Sequence, residues 1–156
     1  MNAISRTFTL LTLLLFAACA APMKLPQDFV ELKDAGEGYR AVTSDDARLR
    51  VRDTADPTDG GTAEFWADSL RRDLVEQRGY EQVAAGEVKN ADGGDGRWLE
   101  LTANVGGRRV GYLVAVWVVD PWLMKRYLRV VEFAAPDPVF RARVDAVKKA
   151  LETVRG

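Results

Sequence analysis

The sequence contains no histidine and only one cysteine, Cys19. The lack of histidine excludes Ser-His and Cys-His catalysis and removes the commonest metal ligand. Lysine and arginine number 22 against 23 acidic residues, so bulk charge indicates neither a nucleic-acid partner nor an anionic membrane. The glycine-rich segment Gly93-Gly94-Asp95-Gly96 lacks the lysine and the helix that a phosphate-binding loop requires. We therefore expect no catalytic residues and no enzyme activity.

The first 18 residues have the three parts of a secretory signal. A short, weakly positive start is followed by an apolar core of about a dozen residues and then by small residues. A transmembrane helix needs roughly 20 apolar residues, so this core predicts a cleaved signal rather than a membrane span. The segment Leu15-Phe16-Ala17-Ala18-Cys19-Ala20 resembles the lipobox of bacterial lipoproteins. An ordinary secretory signal, cut after Ala18 or Ala21, is the alternative.

The lipobox resemblance implies that Cys19 carries a diacylglyceryl group and becomes the new N-terminus. Lipidation would use the only thiol, leaving none for a disulfide or for thiolate catalysis. Ala20 stands where retention in the inner membrane usually requires Asp, which implies an outer-membrane location facing the periplasm. We expect a signal peptide over residues 1–18, a lipidated N-terminus and tether over 19–27, and one domain over 28–156.

The rest of the chain predicts an α+β domain with a predominantly antiparallel sheet and two main helices. Its strand-like segments show either alternation of apolar and polar residues or a continuous apolar run. The predicted strands cover residues 39–43, 47–53, 80–89, 97–105, 110–119 and 126–133. Residues 110–119 are nearly all apolar, which is typical of a central strand covered on both faces. Gly106-Gly107 predicts a tight hairpin before that strand.

Capping signals mark both predicted helices. The first begins after Thr62 and ends at Arg78, with Gly79 in the position that favours a positive φ. The second has Asp137 as the predicted N-cap and Pro138 at the first helical position. Its apolar residues recur at helical spacing, which predicts that one side packs on the sheet.

This order of elements resembles the PsbP-like fold, an α/β/α sandwich. The resemblance depends on Leu25-Pro26-Gln27-Asp28-Phe29, Glu64-Phe65-Trp66-Ala67, Arg78-Gly79-Tyr80 and the apolar strand before Asp120. The same fold is used by a Ran-binding nuclear import factor and by small bacterial lipoproteins. It implies a binding or assembly module that works without a cofactor and has a protein partner, although fold alone does not determine function.

Two surface features are candidate binding sites. Arg48, Arg50 and Arg52 alternate with apolar residues and predict a positive stripe on one face of the sheet, with Arg40 on the neighbouring strand. The stripe suits an acidic partner protein or an anionic polymer; the alternatives are a solvated face or an edge strand that charge protects from aggregation. Trp122, in the turn after Asp120, is either an exposed contact for a partner or lipid, or a residue folded onto the sheet.

Two loops offer oxygen ligands for calcium. Asp53, Asp56 and Asp59 are spaced three residues apart, and Asn90, Asp92 and Asp95 occur among glycines and small residues.. These residue types are equally typical of ordinary turns. A periplasmic lipoprotein that binds calcium or a small ligand, or a hydrolase that uses two carboxylates, therefore stands as the alternative function.

Overall fold

The computed structural model describes residues 21–33, 38–58 and 60–156. Cys19 and the predicted signal peptide lie outside these residues. The seven strands of the described chain are β1 (Val30–Glu31), β2 (Tyr39–Val42), β3 (Arg48–Ala55), β4 (Glu81–Lys89), β5 (Asp95–Val105), β6 (Arg108–Val119) and β7 (Tyr127–Pro136). The helices are α1 (Ala63–Arg72), which continues as a π-helical segment (Asp73–Gln77), and α2 (Asp137–Leu151). None of the helices described is long and apolar enough to span a membrane.

All seven strands form one antiparallel sheet in the order β1-β2-β3-β7-β6-β5-β4. Helix α1 packs on one face of the sheet against β5 and β6, and α2 packs on the other face against β6 and β7. Strand β6 is therefore covered on both faces, as its continuous apolar sequence predicts. The predicted α+β class and the α/β/α layering are confirmed.

Each helix closes a separate hydrophobic core. On the α2 side, Trp117 and Phe133 are buried, and the Phe133 ring stacks on Phe140 with ring centroids 5.1 Å apart. Gly111 lies beneath this pair, where an added Cβ would be 2.1 Å from the Phe140 ring. The glycine is therefore required for the close approach of α2 to β6. On the α1 side, the buried residues are Ala67, Leu74, Leu99, Leu101, Val114, Val116, Leu128 and Val130.

The ends of the helices differ in two details from the sequence prediction. Thr62 caps α1 as predicted, since its Oγ1 accepts a hydrogen bond from the backbone N–H of Phe65 at 3.1 Å. The last turn before Gly79 is π-helical rather than α-helical, and Gly79 has the expected positive φ of 71°. In α2 the predicted N-cap is wrong by one residue, because Asp137 is already helical and Pro136 is the cap.

The segment expected to be a tether belongs partly to the folded domain. Met23 is only 2% exposed and packs in the α2-side core. The backbone N–H of Lys24 donates to Thr153 Oγ1 at 2.9 Å, and the N–H of Arg155 donates to the carbonyl of Pro22 at 2.9 Å. The folded domain therefore begins before residue 28, and its first residues are hydrogen-bonded to the C-terminal residues.

Trp98 occupies the polar phase of β5 because a charged side chain of α2 covers it. Lys148 places its Nζ 4.2 Å from the centroid of the Trp98 ring, within cation–π range. The same ammonium pairs with Glu100 at 2.6 Å. Trp117 is buried in the α2-side core, whereas Trp66 is half-buried at the margin of the α1-side core.

Candidate functional site

The predicted arginine stripe lies on the α1 side of the sheet, beyond the part that α1 covers. Leu49 and Val51 point into the α2-side core, so the arginines between them point to the opposite face. Strand β3 lies between β2 and β7, and the interpretation of the stripe as a protected edge strand is therefore wrong. We call Arg40, Arg48, Arg50 and Arg52 the arginine face.

Strand register brings two of these arginines directly together. Arg40 on β2 is the cross-strand partner of Arg50 on β3. Both side chains are half-buried, and their Nε atoms are shielded from solvent without a hydrogen-bond partner among the described residues. Like charges that face each other across a strand pair are destabilising. This pair therefore has hydrogen-bonding capacity and charge that the described part of the domain does not satisfy.

The carboxylate of Glu132, beside Arg50 and Arg52, already has two partners. Glu132 on β7 is the cross-strand partner of Arg50, but its Oε2 lies 3.3 Å from Arg52 Nε. Its Oε1 accepts a hydrogen bond of 2.7 Å from the Tyr112 hydroxyl. Burial raises the pKa of Tyr112, and the hydrogen bond to Glu132 raises it further, so the phenol stays protonated and remains a donor. Glu132 is therefore held toward Tyr112 and Arg52.

A concave region of about 560 Å³ opens between these side chains. Its lining includes Leu32, Arg40, Val42, Arg48, Arg50 and Glu132. Arg48 at its margin is 72% exposed and pairs with Asp46 at 2.8 Å. Guanidinium groups present planar pairs of donors that match carboxylates and phosphates. The site combines two guanidinium groups that form no ion pair with a described residue with short apolar walls, and its chemistry suits an anionic group.

A second concave region, of about 750 Å³, lies between α1 and the strands β4 and β5. Its charges are already paired: Arg97 forms ion pairs with Glu87 and, at 3.9 Å, with Glu64, while Arg71 pairs with Asp68 at 2.8 Å. Because these groups neutralise one another, the region carries less binding potential for a charged ligand than the arginine face.

The Trp122 turn is an exposed apolar tip. It joins β6 to β7, and its three apolar side chains are 91% (Trp122), 72% (Leu123) and 68% (Met124) exposed. The interpretation of Trp122 as a residue folded onto the sheet is therefore wrong. The turn lies at the end of the sheet where β3 ends, whereas Arg40 and Arg50 lie farther along their strands, so the two predicted binding features do not form one site.

In the first loop predicted to bind calcium, the described aspartates form ion pairs with arginines. The Asp53 carboxylate accepts two hydrogen bonds of 2.7 Å from Arg129, and Asp56 lies 3.0 Å from Arg126 Nε. The hydrogen bond to Asp53 raises the pKa of Arg129. Asp59 lies outside the described residues. Both described carboxylates thus fix the end of β3 to the chain around β7.

The second calcium hypothesis concerns a turn that is closed by its own side chains. Asn90 Oδ1 accepts hydrogen bonds from the N–H groups of Asp92 at 3.1 Å and Gly94 at 2.7 Å. Asp92 accepts from the N–H of Gly156, and Asp95 pairs with Lys89 at 2.6 Å. Within residues 21–33, 38–58 and 60–156, no three acidic side chains are grouped closely enough to hold a metal ion.

Comparison with solved structures identifies proteins of the same fold. LpqN of Mycobacterium tuberculosis, which is involved in cell envelope biogenesis, superposes with a TM-score of 0.62 at 13% identity, over 83% of this chain and 78% of LpqN. A Pseudomonas aeruginosa protein of unknown function, PA94, gives a TM-score of 0.57 at 14% identity over 85% of each chain. The Saccharomyces cerevisiae Ran-binding protein Mog1p gives 0.56 at 14% identity, again over 85% of each chain.

These likenesses define the class of architecture: an α+β protein with the fold shared by Mog1p and the PsbP-like proteins. At 13–14% identity they show the fold and not the function. The resemblance predicted from the sequence is confirmed at this level. No protein-family model matches the chain, and no curated protein sequence does either.

Proposed function

We propose that this protein is a lipid-anchored binding or assembly module of the bacterial cell envelope that engages an acidic partner protein through the arginine face. The supporting observation is the Arg40–Arg50 pair, whose residues are cross-strand partners and have no ion pair among the described residues. A carboxylate-bearing segment of a partner would relieve their repulsion and use their free donors. The module acts by binding, and we assign it no catalytic residue.

The proposed location depends on Cys19 and on the fold. The lipobox-like sequence before Cys19 supports lipidation, and Ala20 supports the outer membrane facing the periplasm. LpqN, which shares the fold, is involved in cell envelope biogenesis, and Mog1p binds the protein Ran. These properties of fold relatives favour an envelope role and a protein partner over a small-ligand function.

Lipidation is tested by growing cells with a radiolabelled fatty acid. The wild-type protein should incorporate the label and fractionate with the outer membrane, whereas Cys19→Ala should incorporate none. Persistent labelling of Cys19→Ala would contradict the assignment of Cys19, and a protein released unlabelled into the periplasm would favour the ordinary secretory signal.

The partner is tested by photocrosslinking in cells. A photoreactive residue at Val42, on the wall of the arginine face, should yield one dominant crosslinked protein, whereas one at the exposed Val83 on β4 should not. Arg40→Glu combined with Arg50→Glu should abolish the Val42 crosslink. Arg108→Glu combined with Arg141→Glu is the matched control, because it makes the same change of net charge at exposed positions elsewhere.

The crosslinking result separates the candidate functions. A Val42 crosslink that persists when Arg40 and Arg50 are both replaced by glutamate would show that the partner does not bind through these arginines. The absence of any reproducible partner at Val42 would overturn the assembly proposal and favour the alternative of a small anionic ligand.

A further inference from the structure

We propose that the turn formed by Trp122, Leu123 and Met124 is a second membrane contact, which enters the lipid interface beside the lipid anchor and sets the orientation of the domain. The inference depends on the lipid anchor at Cys19 proposed above. It is carried by the position of the turn relative to Pro22, which follows Cys19 by three residues.

Pro22 is fixed at the same end of the sheet as this turn. The carbonyl of Pro22 accepts the N–H of Arg155 at 2.9 Å, and the guanidinium of Arg129 donates to the carbonyl of Arg155. Arg129 lies two residues after Tyr127, the first residue of β7. Residues 120–126, which include the turn, lead directly into that strand.

The C-terminal residues contact both the segment at Pro22 and the base of the Trp122 turn. Gly156 lies against Val119, since a Cβ built on Gly156 would be 3.9 Å from Val119 Cγ1. Val119 is the last residue of β6, three positions before Trp122. Pro22, the C-terminal residues and the base of the turn therefore form one contiguous end of the domain.

The short distance in sequence between Cys19 and Pro22 restricts how the domain meets the membrane. Three residues reach at most about 11 Å even when fully extended. A lipid on Cys19 would therefore hold Pro22, and with it this end of the sheet, close to the bilayer surface. Because Pro22 and Lys24 are hydrogen-bonded to the C-terminal segment, the chain from Pro22 onward does not lengthen the tether.

The composition of the turn fits a lipid interface. Tryptophan prefers the headgroup level, where its ring is apolar and its N–H remains hydrated. The side chains of Leu123 and Met124 expose adjacent apolar surface. Lys125 follows them and is exposed, which suits the anionic headgroups of bacterial membranes. A membrane surface offers a suitable environment to the four side chains of residues 122–125 at the same time.

The test uses the mature, lipidated protein in vesicles of phosphatidylethanolamine and phosphatidylglycerol at about one protein per vesicle. Because lipidation uses the only native thiol, Leu123→Cys provides a single site for a nitroxide label. Val105→Cys, at the exposed hairpin on the opposite end of the sheet, is the matched control. Collision rates with oxygen and with a water-soluble nickel complex report whether each label lies in lipid or in water.

The expected result is at least a threefold lower collision rate with nickel for the label at residue 123 than for the label at 105, together with a higher rate with oxygen. Equal nickel accessibility at both sites, in vesicles that carry the protein on flotation, would overturn the membrane contact while leaving the anchor intact. Failure to float would instead refute the anchor. Protection at 123 that appears only at high protein density would identify a second copy, rather than lipid, as the occupant.

Discussion

Arg40 and Arg50 face each other across β2 and β3, and neither guanidinium forms an ion pair with a described residue. Their neighbour Arg52 has Glu132 at 3.3 Å, and Arg129 on β7 has both oxygens of Asp53 at 2.7 Å. Adjacent strands of the domain thus carry arginines of two kinds: those paired with a carboxylate on a neighbouring strand, and those without an ion pair among the described residues.

This difference predicts opposite effects on stability. Arg50→Gln should leave the free energy of unfolding unchanged or raise it by up to about 0.5 kcal/mol, because it removes a like-charge pair across the strands. Arg129→Gln should lower it by about 1–3 kcal/mol, because it breaks a bidentate, charge-assisted interaction. Urea unfolding followed by tryptophan fluorescence measures both. An equal loss in the two variants would make Arg50 a structural residue and weaken its assignment as a binding group.

Periodicity predicts which face a side chain occupies, and here it predicted the orientation of Arg48, Arg50 and Arg52. It does not predict which strands become neighbours. Strand β7 begins 72 residues after β3 ends, so the sequence could not show that β3 is an internal strand or that Glu132 lies opposite Arg50. The edge-strand interpretation was wrong for that reason.

Because periodicity does not predict which elements become neighbours, the sequence also could not explain why Trp98 lies among polar residues of β5. Its position in a polar phase has no local cause, because the ammonium that covers it belongs to Lys148, fifty residues further along the chain. The tether was misjudged for a related reason. Pro22 and Met23 have no periodic pattern of their own, and their packing depends on Arg155 and the α2-side core. Capping signals, by contrast, act within three residues, and Thr62 was predicted correctly.

The contact between β6 and α2 predicts a strict requirement at Gly111. In Gly111→Ala the new Cβ would lie 2.1 Å from the Phe140 ring, which is itself stacked on Phe133. The helix or the rings must shift, and we expect the free energy of unfolding to fall by about 2–3 kcal/mol. In the control Gly60→Ala the nearest atom is 3.7 Å away, and the change should stay within about 0.5 kcal/mol. A stability unchanged by Gly111→Ala would contradict this packing.

The cap of α1 predicts a smaller and more local effect. Thr62→Ala removes the acceptor for the N–H of Phe65 and should lower the free energy of unfolding by about 1 kcal/mol. Thr62→Ser keeps the oxygen and should retain most of the stability. Denaturation of the three proteins in parallel measures the difference. If serine and alanine cost the same, the hydroxyl is not the stabilising group.

The Asp56 carboxylate predicts how stability depends on pH. Its burial would raise its pKa, but hydrogen bonds from the N–H and hydroxyl of Thr58, at 3.0 and 2.8 Å, together with the charge of Arg126, hold the pKa below the ordinary value. A carboxyl whose pKa is lower in the folded state binds protons more weakly there than in the unfolded state. Its stabilising effect is therefore present above the ordinary aspartate pKa of about 3.9 and is lost as the pH falls through the lower, folded-state value.

Asp56→Asn should consequently reduce the free energy of unfolding most at pH 7, and the difference from the wild type should shrink as the pH falls below 4. Urea unfolding at pH 7 and at pH 3 measures this difference. Asp145→Asn, at an exposed position on α2, is the control and should change stability little at either pH. A deficit of Asp56→Asn that stayed constant between the two pH values would show that the charge of Asp56 is not what fastens the chain after β3 to Arg126.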